Sequence, residues 1–166
     1  MSQLPNLEDL GDISGKRVLV RTDFNVPLDD GVIRDDLRIR EAIPTLKYLV
    51  DNGAEVTACT HLGRPKGKFE EKYSLNPVRA RLNEILPGIK LLDNLRFNPG
   101  EELNDPQFIE QLVAGQDMFV NDAFGASHRK HASITGPPQL LPSAAGRLLQ
   151  NEVEILLQVR NKPKRP

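Results

Sequence analysis

The sequence predicts an α/β fold: a three-layer, Rossmann-like parallel sheet with helices on both faces. Three observations predict it. Short apolar runs recur along the chain, each is followed by a helical pattern, and polar loops separate one from the next. Runs of three or four apolar residues without alternation suit strands covered on both sides.

Taken in order, Val18-Leu19-Val20 reads as the first strand, and Asp30-Gly31 as a turn. Asp36 caps a helix whose apolar residues fall at Ile39, Ile43, Leu46 and Val50, with Pro44 expected to kink or restart it and Gly53 to end it. Val56-Thr57-Ala58-Cys59 reads as the second strand. Asn76 with Pro77 opens a helix carrying Val78, Leu82 and Ile85 on one face. Ile89 to Leu92 is the third strand. Asp105-Pro106 repeats the cap-then-proline signal ahead of Phe108, Ile109 and Leu112. Met118-Phe119-Val120 is the fourth strand, and Ser143 is expected to open a last helix reaching about Val159, with Leu149, Val153 and Leu156 inward. A basic, proline-punctuated segment, Arg160 to Pro166, leaves that helix. It reads equally as a connection or as a tail.

The 166 residues suffice for one domain with a sizeable core. A formal net charge of −1 argues against a nucleic-acid partner. The single cysteine, Cys59, leaves no disulfide within the chain and fits a reducing compartment. The acidic N-terminus has no apolar core and does not read as a signal peptide, and no stretch is long enough for a membrane span. The expectation is a cytoplasmic protein with no membrane partner.

Open α/β sheets bind ligands beyond the carboxyl ends of their strands. At those ends lie Asp23-Phe24-Asn25, His61-Leu62-Gly63-Arg64, Asn94-Leu95-Arg96 and Asn121-Asp122, the last followed by His128-Arg129-Lys130-His131. All three histidines and several arginines therefore collect at one edge of a nearly neutral chain, which suggests a small anion. Arginine grips carboxylate or phosphate oxygens in pairs, and Asp23 and Asn25 can orient such groups or meet a hydroxyl. A phosphorylated hydroxy acid fits this set. Each motif also has a plainer reading: strand-ending turns for Asp23 and Asn25, surface charges for Arg64 and Arg96, a packed strand residue for Cys59. Arg38, in the first turn of a helix, stands against the helix dipole and so hints at a function. His128 and His131 have metal-ligand spacing but no third ligand, so no metal site is expected. Gly63 to Lys68 is not a phosphate loop, because three rather than four residues separate its glycines and Phe69 follows the lysine.

Lys16 to Pro27 (KRVLVRTDFNVP) closely resembles the first signature of the phosphoglycerate kinase family. Asp35-Asp-Leu-Arg-Ile-Arg40, Thr60 to Gly67 (THLGRPKG), Asp93-Asn-Leu-Arg-Phe97 and Val120 to Ala132 (VNDAFGASHRKHA) resemble later ones, in order. The resemblance runs from about Gly15 to Pro166. It implies the N-terminal, 3-phosphoglycerate-binding domain of a two-domain kinase. Asp23, Phe24, Asn25, Arg38, His61, Leu62, Gly63, Arg64, Arg96 and Arg129 are implied as substrate-binding, and Arg38 as the catalytic cation facing the transferring phosphoryl group. Mg with ADP or ATP is implied for a C-terminal nucleotide domain, which this chain lacks, and no cofactor is implied for the chain itself. The implied division is a substrate domain over 1–142 and an interdomain helix with the start of a hinge over 143–166. The partners implied are 3-phosphoglycerate or 1,3-bisphosphoglycerate and the nucleotide domain, in a monomer. Only Pro87 to Lys90 stands where the family carries a strand and helix, so a sheet one edge strand short is expected. On this reading the chain is a fragment, inactive by itself. The alternatives are a standalone phospho-acid binding module without catalysis and a folding unit with a vestigial pocket.

Overall fold

A computed structural model describes residues 4–161. Five parallel strands form one sheet: β1 (Arg17–Arg21), β4 (Glu55–Cys59), β5 (Lys90–Leu91), β6 (Met118–Asn121) and β7 (Ser143–Ala145), in the order β5-β4-β1-β6-β7. Between β1 and β4 lies a small hairpin, β2 (Leu28–Asp29) with β3 (Val32–Ile33). Its Asp30-Gly31 corner has φ of 49° and 77°, the paired positive values that favour glycine at a tight hairpin turn. The helices are α1 (Leu37–Asp51), α2 (Asn76–Ile85), α3 (Pro106–Val113), the short α4 (Ala132–Thr135) and α5 (Pro137–Leu140), and α6 (Arg147–Asn161).

The strand period of two sorts side chains into two layers. Val18 and Val20 of β1, Val56 and Ala58 of β4 and Val120 of β6 face one side, where Ile39, Ala42, Leu46 and Leu49 of α1 and Val78 and Leu82 of α2 cover them. Leu19, Cys59 and Phe119 face the other side, against Phe108 and Leu112 of α3 and Ala132 of α4. Both faces are therefore dry, as the uninterrupted apolar runs predict.

Several sequence expectations change in detail. Ser143 does not open the last helix. Ser143, Ala144 and Ala145 pair in parallel with Phe119, Val120 and Asn121, and the helix starts at Arg147 after Gly146. Small residues fit this strand because the N-terminal segment lies against it, the Ala145 N–H donating to the Pro5 carbonyl at 2.7 Å. Along α6, Leu149 is buried, Val153 half-buried and Leu156 exposed, so the inward stripe fades toward the C-terminus. Pro44 neither breaks nor restarts α1, which is continuous through it. Asp36 stands at the N-cap of α1 but directs its carboxylate to Arg40 and Arg81, and Asp35 accepts from the Leu37 N–H instead. The basic segment from residue 162 onward lies outside the described residues. Among the described residues no helix is long and apolar enough to cross a membrane.

The chain runs from β1 outward to β4 and β5, then returns to β6 beside β1 and continues to β7. The strand order thus reverses between β1 and β6, and the crevice at their carboxyl ends is where such sheets bind ligands.

Candidate anion-binding site

β1 delivers Asp23 to this crevice and β6 delivers Gly125. A Cβ on Gly125 would come within 3.0 Å of Asp23 Oδ2, so glycine lets the two loops close on one another. Arg38, from the first turn of α1, donates to Asp23 Oδ2 at 2.6 Å. The carboxylate is nearly buried and the guanidinium half-exposed, so Asp23 aims a cation that still reaches solvent. This contact explains a basic residue where the dipole of α1 disfavours one.

The loop after β4 is held from three sides. The Gly63 N–H donates to Asn25 Oδ1 at 3.1 Å, and the Gly63 carbonyl accepts from Arg96 at 3.0 Å. Asn94 accepts from the Leu62 N–H at 3.2 Å and donates to the Leu62 carbonyl at 2.7 Å. Gly63 has φ of +63°, and a Cβ there would collide with the Tyr73 ring, so only glycine fits.

His61 lies in this loop, 7% exposed. Burial pushes its pKa down to about 2, and the positive charges of Arg21 and Arg96 and the neighbouring His131 and Arg129 push the same way. The ring is neutral. Arg96 is 8% exposed, and burial lowers its pKa against the opposing pull of Glu102. Its Nε, like Nδ1 of His131, is buried without a partner among the described residues. A buried guanidinium donor without an acceptor is costly, and an anionic oxygen is the group that would satisfy it.

The ten residues singled out from the sequence fall into three groups. Asp23, Arg38, Asn25, Gly63, His61 and Arg96 are linked by hydrogen bonds or by mutual electrostatics around one crevice. Arg129 shares the electrostatic environment of His61 and Arg96 from an exposed loop, and Arg64 is exposed beside Gly63. Phe24 and Leu62 have core side chains, 0% and 4% exposed, and the Phe24 N–H is already given to Thr60 Oγ1 at 2.9 Å. Sequence reasoning missed Arg21, Glu101 and Ser133, a polar group under the site. The available signal was an arginine ending an apolar strand buried on both faces, where a charge requires a partner.

Among the described residues no three His, Cys, Asp or Glu side chains gather in a way that could hold a metal ion.

Comparison with known proteins gives the family. The family model described as phosphoglycerate kinase matches residues 7–91 and 87–166, the two matches overlapping at residues 87–91, which include edge strand β5. The phosphoglycerate kinase of Dictyoglomus turgidum is 47% identical over 179 positions, which take up 93% of this chain and 45% of the relative. That of Moorella thermoacetica is 48% identical, covering 96% and 47%, and the chloroplastic enzyme of Volvox carteri is 49% identical, covering 95% and 40%. The solved structure of phosphoglycerate kinase from Coxiella burnetii superposes with a TM-score of 0.90 at 35% identity, over 98% of this chain and 46% of that one. The Pyrococcus horikoshii structure gives 0.86 at 29% identity. The chain spans less than half the length of the curated relatives it matches. With the family model matched along nearly all of its length, this chain belongs to the phosphoglycerate kinase family.

Proposed function

We propose that this chain is the substrate-binding half of a phosphoglycerate kinase, holding 3-phosphoglycerate or 1,3-bisphosphoglycerate while a nucleotide domain that lies outside it presents Mg with ADP or ATP. The observation that carries the reading is Arg96 Nε, buried without a partner among the described residues, near His61 and Arg129. Arg96, Arg64 and Arg129 neutralise the anion, His61 donates a hydrogen bond, and Asp23 and Asn25 meet the hydroxyl and carboxylate end. In the intact enzyme the transfer is an in-line displacement between the acyl phosphate and ADP, a reaction served by positioning and charge stabilisation. Arg38, aimed by Asp23, supplies this chain's cation for the transferring group. Closure of the second domain excludes water.

The division of the chain proposed here sets α6 apart as the interdomain helix. Because Ser143–Ala145 pair with β6, a division at Gly146 is better supported than one after residue 142. Ile155, Leu156 and Val159 are exposed on α6, which supports its packing against a further domain.

The test is an NMR titration of the purified 166-residue chain with 3-phosphoglycerate, with ATP in parallel. Saturable shifts at His61, Arg64, Arg96 and Arg129 with 3-phosphoglycerate, and none with ATP, are expected, together with no kinase turnover. Shifts with ATP alone, or ATP-dependent turnover by this chain, would overturn the reading. Shifts with neither would favour a vestigial pocket.

A further inference from the structure

Arg21 is the last residue of β1 and is completely buried, on the sheet face shared by Leu19, Cys59 and Phe119. Its guanidinium is enclosed by acceptors. Nε donates to Ser133 Oγ at 2.8 Å, and a second nitrogen donates to the Thr22 carbonyl. The third lies 3.9 Å from Glu101 Oε2 and 2.9 Å from His61 Nδ1. Glu101 is equally buried and is fixed in turn, accepting from the Ser133 N–H at 2.8 Å and from Ser133 Oγ at 2.6 Å. Its own carbonyl accepts from the Ala132 N–H at 2.8 Å. The buried cation, carboxylate and hydroxyl thus tie β1 to the segment that opens α4.

We infer that Arg21 is a positioning residue that locks His61 as the neutral tautomer protonated on Nε2, so that the imidazole offers the crevice one fixed hydrogen-bond donor. A guanidinium has five N–H donors and no lone pair to share. At 2.9 Å from Arg21, Nδ1 must therefore carry the lone pair, and the single proton of a neutral imidazole must sit on Nε2. Nε2 has no partner among the described residues, and it is not one of the buried atoms left unpaired. The open side of the ring is thus its donating side. Charging the ring would set two cations against each other inside the protein. The groups around it, Arg21, Arg96, Arg129 and His131, all disfavour protonation, as does burial.

The consequence, which rests on the reading of the crevice as a phospho-acid site, is selectivity. Such a histidine donates to a carboxylate or phosphate oxygen and leaves a ligand ammonium, which has donors only, unpaired. A site that leaves a polar group unpaired rejects the wrong ligand strongly.

The test begins with the unmodified chain and no ligand. Long-range ¹H–¹⁵N spectra of the imidazoles should show His61 with a pyridine-like Nδ1 and a pyrrole-like Nε2, unchanged between about pH 5 and about pH 8, where an ordinary histidine titrates. A His61 that is protonated on Nδ1, or that titrates across this range, would overturn the inference. Arg21→Met alone would strand Glu101 and can fail to fold, so the variant is Arg21→Met with Glu101→Gln, which removes both buried charges together. In it the tautomers should mix, and 3-phosphoglycerate affinity should fall about tenfold or more, the size of a hydrogen bond to a charged group. An unchanged tautomer in the double variant would also overturn the inference. If the unmodified chain shows the locked tautomer but binds no 3-phosphoglycerate, the reading of the crevice fails and the positioning role of Arg21 stands.

Discussion

Asp122 follows β6 and is fully buried, and no cation is paired with it among the described residues. It serves as the N-terminal anchor of α6, accepting on Oδ1 from the Leu148 N–H at 3.0 Å and the Leu149 N–H at 3.4 Å, while Thr45 Oγ1 accepts from the Arg147 N–H at 2.7 Å. Burial pushes its pKa from 3.8 to about 7, although the N–H groups of Leu148 and Leu149 and the Thr45 hydroxyl all favour the charged form. A folded-state pKa above the unfolded one means that the native chain holds the proton more tightly. Stability due to Asp122 is therefore fully present below about pH 4 and is lost as pH rises through about 7. Integrated between about pH 5 and about pH 8, this one group removes about 2–3 kcal/mol. Asp122→Asn keeps an acceptor for α6 and cannot ionise. Urea midpoints of both proteins at the two pH values isolate the term, because every other titrating group is shared. The variant should lose about 2–3 kcal/mol less than the parent on going to the higher pH. Parallel pH dependence in the two proteins would refute the reasoning and show Asp122 to be ionised across the whole range.

His61 titrates in the opposite sense. Its folded pKa of about 2 lies below the ordinary 6.5, so its contribution is present above about pH 6.5 and falls away on acidification, by up to about 1.4 kcal/mol per pH unit. His61→Gln should flatten acid unfolding curves over that range, and an unchanged acid limb would count against a neutral buried ring. Gly63→Ala forces a side chain into a φ of +63° and into the Tyr73 ring. A loss of about 1–3 kcal/mol in thermal or urea unfolding is expected, with weaker 3-phosphoglycerate binding as the loop leaves Asn25 and Arg96. Burial, aided by Glu101, pushes the Cys59 thiol up to about 12 against the opposing pull of Arg21. It should react with a thiol probe at neutral pH only at the rate of unfolding, and prompt labelling of the native chain would contradict that.

Much of this molecule was legible in the sequence because the signals were local. Val18 to Val20, Val56 to Cys59 and Met118 to Val120 are apolar runs, and each lies in a strand of the sheet. Asp105 caps α3 through the Gln107 N–H as its spacing predicts. The choice of candidate site residues followed from one rule, that ligands gather beyond strand ends, and hydrogen bonds join Asp23 to Arg38, Asn25 to Gly63 and Gly63 to Arg96 there. What was not legible depended on distant partners. Ser143-Ala144-Ala145 carries no strand signal of its own and becomes one by lying between β6 and the N-terminal segment. Leu156 shares the helical spacing of Leu149, but α6 has by then run past the α1 surface that would cover it. Arg21 is enclosed by Glu101 and Ser133, which lie far along the chain and which no local pattern joins to it.

The two buried carboxylates are held in different ways. Glu101 has a guanidinium at 3.9 Å and two donors from Ser133, so its charge is compensated by a charge. Asp122 has only backbone N–H groups, the Thr45 hydroxyl and the end of a helix dipole, and its Oδ2 has no partner among the described residues. Partial charges at a helix start are worth about 0.3–1 kcal/mol, less than the cost of burying a carboxylate. Raising the pH therefore strains the anchor of α6. Amide exchange should report that strain. Protection of Leu148 and Leu149, corrected for the intrinsic pH dependence of exchange, should fall across neutrality. Unchanged protection there would mean that the anchor of α6 has no titration of its own.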